Sequence, residues 1–117
     1  MGAIKNTLAN VAASQTDSAL IAAIPNARIR VLACAMRCGG TATNVTFNTK
    51  PAGVGTAISC LFANGVNGND DLQYNDAGWF ETNSGEGLSV TTGAGSATGF
   101  QVTYEVRVQV TGSQPGG

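Results

Sequence analysis

Phe100-Gln101-Val102-Thr103-Tyr104-Glu105-Val106-Arg107-Val108-Gln109-Val110 alternates strictly between six apolar residues, all aromatic or β-branched, and five polar ones. This period-two pattern predicts a long β-strand with one face in a core and the other in water. Residues 88–92 alternate in the same way, and the Gly- and Ala-rich residues 93–99 separate the two segments. The sequence therefore predicts a β-hairpin near the C-terminus.

Six further segments upstream have the composition of strands. Residues 28–38 are charged at the ends but apolar on both alternating faces in the middle, which predicts a strand covered on both sides, either inside a sandwich or against another subunit. Residues 6–13 are a strand or a loose arm, and residues 19–24 a strand or a short helix; we favour strands. The remaining predicted strands are residues 42–49, 56–63 and 78–82.

Seven or eight strands without a convincing amphipathic helix predict an all-β fold, an antiparallel β-sandwich of the jelly-roll kind. Residues 1–15 are expected to be an N-terminal arm or first strand, residues 16–111 the β-sandwich domain, and residues 112–117 a flexible tail. Residues 66–77, rich in Asn, Gly and Asp, are predicted to be the longest loop.

Composition narrows the functional classes before any motif is considered. Only 11% of the 117 residues are charged and the net charge is −1, so the chain lacks the positive field that nucleic acids or acidic membranes require. The chain has no histidine, which removes the usual general base and the commonest metal ligand. We therefore expect a protein that is not an enzyme and has no cofactor and no metal site.

The cysteines and the apolar segments suggest where the chain folds. The N-terminal residues are too polar for a secretory signal, and the six-residue apolar run 19–24 is far too short to cross a membrane, so we expect folding in a cytosol. Three cysteines in such a compartment are expected to be thiols, with Cys34 and Cys60 as small core side chains.

Two segments carry a resemblance to a known class of proteins. Residues 28–38 are followed by Gly39-Gly40 and a Thr/Asn-rich strand, and the block Gly87 to Ser96 is followed by Phe100-Gln101-Val102-Thr103-Tyr104-Glu105-Val106. This layout, across residues 28–108, resembles small jelly-roll structural proteins of tailed bacteriophage virions, most of all head decoration (cement) proteins. The resemblance implies a homotrimer on the capsid exterior that binds and stabilises the major capsid protein shell, after synthesis in the bacterial host cytoplasm.

Surface complementarity, rather than chemistry, is the activity expected of such a protein. Low charge and many small side chains favour close approach between subunits. The predicted contacts with other subunits or with the capsid lie on the arm, the central strand and the aromatic pair, namely Ile4, Leu8, Val11, Arg28, Arg30, Met36, Arg37, Trp79 and Phe80. Of the two adjacent aromatic residues, one is expected in the core and the other in a contact.

Three other interpretations stay open. Tyr74, Trp79 and the Asn-rich loop would suit a head-fibre or tail component that binds host glycans. The carboxylates in residues 71–86 could serve a glycoside hydrolase, which uses paired acids. Residues 67–76 offer oxygen ligands for calcium but lack the EF-hand pattern, because Leu72 stands where its glycine belongs.

Overall fold

A computed structural model describes residues 3–108. Within that range every regular element is a β-strand, and no helix is long and apolar enough to cross a membrane. The strands are β1 (Ala3–Val11), β2 (Ser18–Ile21), β3 (Ala27–Cys38), β4 (Thr43–Lys50), β5 (Thr56–Ala57), β6 (Phe62–Asn64), β7 (Asn69–Leu72), β8 (Phe80–Glu81), β9 (Gly87–Thr92) and β10 (Thr98–Val108).

Two antiparallel sheets share these strands. The first has the order β1-β10-β3, with β7 and β8 both pairing along the far edge of β3. The second has the order β2-β9-β4, with β5 and β6 both pairing along the far edge of β4. Because β5 and β6 share one position and β7 and β8 share another, ten strands occupy eight positions. Their alternation between the sheets is that of a jelly roll, so the predicted antiparallel β-sandwich is confirmed.

The core lies between the inner faces of the two sheets. Its centre is Phe47 of β4, which is fully buried and contacts aromatic rings from both sheets. The ring centroids lie 4.9 Å from Phe80, 5.9 Å from Phe100 and 5.9 Å from Phe62. Four alternating residues of β10 fill the same space, as the period-two pattern predicted, namely Phe100, Val102, Tyr104 and Val106. Val108 continues the pattern but is 66% exposed at the end of the strand.

A β-bulge at Leu32 changes which residues of β3 face outward. Tyr104 of β10 pairs with Val31 and Thr103 pairs with Ala33, so Leu32 is the extra residue. Before the bulge, the even-numbered Arg28 and Arg30 share a face with the outward residues of β10; after it, the odd-numbered Ala33, Ala35 and Arg37 do. Leu32 is only 2% exposed, yet it lies outside the main core cluster.

The structure corrects two expectations about the middle of the chain. The strand expected at residues 56–63 is two short strands separated by an irregular connection, and this places Cys60 on the surface rather than in the core. The loop expected at residues 66–77 contains β7, which pairs with β3 from Cys34 to Arg37. Both errors concern edge segments, where the partner strand supplies the order that local sequence lacks.

The predictions for the N-terminal residues can be compared with the structure, whereas those for the last residues cannot. Residues Ala3–Val11 form β1 and pair with β10 along their whole length, as a first strand rather than a loose arm. Residues 19–24 contribute to strand β2 and not to a helix. The flexible tail expected at residues 112–117 lies outside the described residues, as do the last residues of the predicted C-terminal strand.

Candidate interaction surface

Most of the residues that were predicted from the sequence to be contacts lie on the outward face of the first sheet. Directly opposed residues in antiparallel strands point to the same side of a sheet. Because the odd positions of β10 point outward, the register places Ile4 and Leu8 of β1 outward as well, opposite Glu105 and Gln101. Ile4 is 51% exposed and Leu8 is 73% exposed. Two large aliphatic side chains therefore stand in water on one strand.

An open hollow lies beside Leu8 on this face. Its volume is about 540 Å³, and Ala35, Gly99 and Gln101 contribute to its lining. Gly99 has no side chain and Ala35 only a methyl group, so the middle of the face is low between the Leu8 side chain and Arg37. Small residues of this kind let another backbone or side chain approach closely.

A charged cluster occupies the end of the face away from the hollow. The Glu81 carboxylate on β8 lies 3.1 Å from Arg30 Nη2, 3.6 Å from Arg107 Nη1 and 4.0 Å from Arg28 Nε. Arg28 also donates to the carbonyl of Thr82. Arg28 and Arg30, which were predicted to contact other subunits or the capsid, thus pair with an acid of their own chain. Three arginines stand here against two glutamates, Glu81 and the Glu105 that lies opposite Arg30 on β10, so this end of the face is weakly basic.

The segment between β7 and β8 presents two exposed aromatic side chains. Trp79 is 46% exposed, and its Nε1 donates to the Gln73 carbonyl at 2.7 Å. Tyr74 is 56% exposed and, with Ile4 and Leu32, lines a second and smaller pocket, separate from the hollow beside Leu8. A hydrogen bond with Asp76 raises the pKa of Tyr74. The segment therefore borders the outward face with aromatic rings.

Not every predicted contact residue belongs to this surface. Val11 pairs with Thr98 on the inner face and is 4% exposed. Met36 is 1% exposed because the bulge at Leu32 turns the even positions that follow it toward the core. Phe80 also points inward and stacks near Phe47, so it is the core member of the aromatic pair. Val11 and Met36 are corrected to buried core residues, and Phe80 to a partly buried residue that packs against the core.

The remaining predicted contacts keep exposed surface. Ile4, Leu8 and Arg37 lie on the outward face, Arg28 and Arg30 lie at its basic end, and Trp79 lies in the adjoining segment. Sequence reasoning missed the hollow beside Leu8. Alternation in β10 gives the outward direction of Gln101, but only the pairing register puts Ala35 beside it.

The acidic residues that the open alternatives named differ in their surroundings. Asp70 and Asp71 are consecutive residues of β7, so their side chains leave opposite faces instead of converging on an ion. Glu86 accepts a hydrogen bond from Thr49 Oγ1 at 2.8 Å, while Glu81 is held by the arginines. Among residues 3–108, no group of three cysteine or acidic side chains lies close enough to hold a metal ion.

The three thiols have different surroundings. Burial raises the pKa of Cys34 to about 12, with a smaller contribution from the negative charge of Asp71. Cys38 is buried and its Sγ lies 2.8 Å from the Gly65 carbonyl oxygen. Cys60 alone among them is exposed, and all three are free thiols.

Comparison with known proteins gives only distant similarities. No protein-family model and no curated protein matches the chain. A solved structure of disulfide-linked pili from Bacillus endospore appendages is 12% identical, with a TM-score of 0.43, covering 94% of this chain and 92% of that one. The structure of PirA is also 12% identical, with a TM-score of 0.36 and coverages of 89% and 92%. A structure of infectious bursal disease virus is 10% identical, with a TM-score of 0.34, covering 96% of this chain and 34% of that one. At these TM-scores the similarities carry no argument about function.

Proposed function

We propose that this protein is a non-enzymatic capsid decoration protein of a tailed bacteriophage. In this role it binds the outer surface of the head and stabilises the shell of the major capsid protein. The observation that carries the proposal is the outward face of the first sheet, where Ile4 and Leu8 stand exposed. Leu8 also borders the hollow to which Ala35 and Gly99 contribute. The resemblance of the sequence to head decoration proteins supplies the identity of the larger assembly.

The physical properties of this face suit adhesion. Exposed aliphatic side chains gain free energy when a partner removes them from water, at about 25 cal/mol per Å². Ala9, Ala35 and Gly99 in the lining of the hollow lose little side-chain entropy on binding, unlike long charged residues. The basic end around Glu81 would orient the contact toward carboxylates on the shell. The homotrimer that the resemblance implies remains an expectation about copy number.

Electron microscopy of the intact particle tests the proposed location. We expect density for this chain on the outer head lattice, in contact with the major capsid protein through the first sheet. Density confined to a tail or a fibre contradicts the proposal. A second measurement compares the temperature of DNA release from heads with and without the protein, and we expect the decorated heads to release DNA at a higher temperature.

A matched pair of variants tests the face itself. Ala35→Arg fills the hollow of the first sheet, whereas Ala57→Arg places the same side chain on exposed strand β5 of the second sheet. Co-sedimentation with undecorated heads should be lost for Ala35→Arg and kept for Ala57→Arg. Equal binding by both variants would show that another surface makes the contact.

A second candidate is a head-fibre or tail component that binds host glycans. The observation that favours it is the joint exposure of Tyr74 and Trp79 in one segment, because aromatic rings stack on sugar faces. Glycan-array binding that disappears in Trp79→Ala and persists in Trp79→Phe would establish this function. The absence of any glycan-array signal for the wild-type protein would contradict this second candidate and favour the decoration proposal.

A further inference from the structure

The edges of the two sheets are protected unequally. An unpaired strand edge is a template for another chain, and proteins commonly blunt such edges with very short strands. Three of the four edges follow this rule: they consist of β2, of β5 with β6, and of β7 with β8, none longer than four residues. The fourth edge is β1, which is nine residues long and is paired only with β10 among the described strands.

Strand β1 also lacks most features that discourage pairing. It contains no proline, its register with β10 has no bulge, and Lys5 is its one charged residue. Its two large aliphatic side chains, Ile4 and Leu8, are both exposed and lie on the same outward face. A long, regular and nearly uncharged edge with exposed aliphatic residues is expected to pair with another strand.

The sequence of β1 is complementary to itself. In an antiparallel pair of two copies related by a two-fold axis at Asn6, residues whose numbers sum to twelve lie opposite each other. Ile4 of each copy then faces Leu8 of the other, and Asn6 faces Asn6. Cross-strand aliphatic pairs stabilise such a sheet, and the two amides meet between them. Lys5 faces Thr7 of the second copy, so no like charges are directly opposed.

We propose that β1 is the contact between two copies of this chain, paired antiparallel about a two-fold axis at Asn6. The pairing joins the first sheets of the two copies into one continuous sheet. In this arrangement odd-numbered residues lie opposite odd-numbered ones and even-numbered residues opposite even-numbered ones. Over residues 3–9, every backbone N–H and C=O group that points to the free edge therefore meets a partner on the other copy. The inference deepens the self-association in the proposed function and replaces the threefold contact expected there with a twofold one.

Sedimentation velocity of the purified chain tests the contact. Residues 3–9 of the two copies form the strand pair, and seven residues from each copy make a smaller contact than a standard stable interface. We therefore expect a reversible dimer with a dissociation constant in the micromolar range. Leu8→Lys should weaken dimerisation by about tenfold or more, because it removes both aliphatic pairs and adds two charges. Leu61→Lys is the matched control, since Leu61 is 57% exposed in the β5–β6 connection, and it should dimerise like the wild type.

Disulfide trapping tests the register without depending on a destabilising variant. In a Cys60→Ser background, Asn6→Cys places the two new thiols directly opposite each other across the axis. Position 8 of one copy lies opposite position 4 of the other, so Leu8→Cys leaves the two new thiols four residues apart along the strands. That separation is about 13 Å, which is beyond bridging distance. We expect rapid oxidation to a covalent dimer for Asn6→Cys and little for Leu8→Cys. Circular dichroism of each variant verifies that the chain is folded.

The outcomes separate this inference from the proposed function. A monomer or a trimer of the wild-type chain at high concentration overturns the inference, as does equal trapping at residues 6 and 8. Attachment to phage heads by a chain that does not pair through β1 would keep the decoration function and remove only the twofold contact. A dimer that fails to bind heads would keep the twofold contact and contradict the decoration function.

Discussion

Replacing Phe47 by alanine tests the view that one ring joins the two sheets. Phe47 is fully buried, and its neighbours Phe80 and Phe100 belong to the first sheet while Phe62 belongs to the second. Removing a buried phenylalanine side chain costs about 3–5 kcal/mol through lost burial and the cavity that remains. Domains of this size have about 5–15 kcal/mol of stability in total. Phe47→Ala should therefore lose a large part of the free energy of unfolding.

Urea unfolding followed by circular dichroism measures this loss. We expect a drop of about 4 kcal/mol in the free energy of unfolding, with the same dependence on urea, and a fall in melting temperature of roughly 20 °C. Phe62→Ala is the control, because Phe62 is only partly buried at the sheet edge and should cost about half as much or less.

A double-mutant cycle sharpens the test. The coupling between Phe47→Leu and Phe80→Leu should be about 0.5–1.5 kcal/mol, since these two rings lie 4.9 Å apart. A loss below about 1.5 kcal/mol for Phe47→Ala, at unchanged urea dependence, would refute the assignment of this ring to the centre of the core.

Three further predictions concern the thiols, the charged cluster and one turn. At mildly alkaline pH a maleimide should label Cys60 alone in the folded chain. The pKa of Cys34 is raised from 9.0 to about 12, so between these pH values the folded state keeps the thiol proton and the unfolded state loses it. The free energy of unfolding should therefore fall as the pH rises from 9 toward 12, and Cys34→Ala should flatten that slope. Glu81→Gln should cost about 1 kcal/mol at low salt and less at high salt, as measured by urea unfolding; a cost independent of salt would contradict a mainly electrostatic role for the partly exposed cluster. Gly95 has a φ of +148°, and a Cβ there would lie 2.4 Å from the Ala42 carbonyl oxygen, so Gly95→Ala should lower the melting temperature, whereas Gly40→Ala, with open space around it, should change it little.

The candidate surface could be anticipated only in part. Exposed Ile4 and Leu8 were identifiable from the polar residues around them, and Arg37 from its place at the end of an apolar strand. Met36 was wrongly predicted as a contact, because the sequence of residues 28–38 contains no sign of the bulge at Leu32 that turns Met36 toward the core. A bulge is a property of two paired strands, so one strand's sequence does not reveal it.

The sequence alone determined the fold class and which side chains of β10 face the core. Strict alternation from Phe100 to Val106 identifies which residues enter the core, because successive side chains of a strand leave opposite faces. Only the tertiary structure decided which strands become edges and what gathers on each face. The cluster of Arg28, Arg30 and Arg107 around Glu81, and the open edge of β1, depend on pairing between segments far apart in the chain, and local patterns carry no information about distant partners.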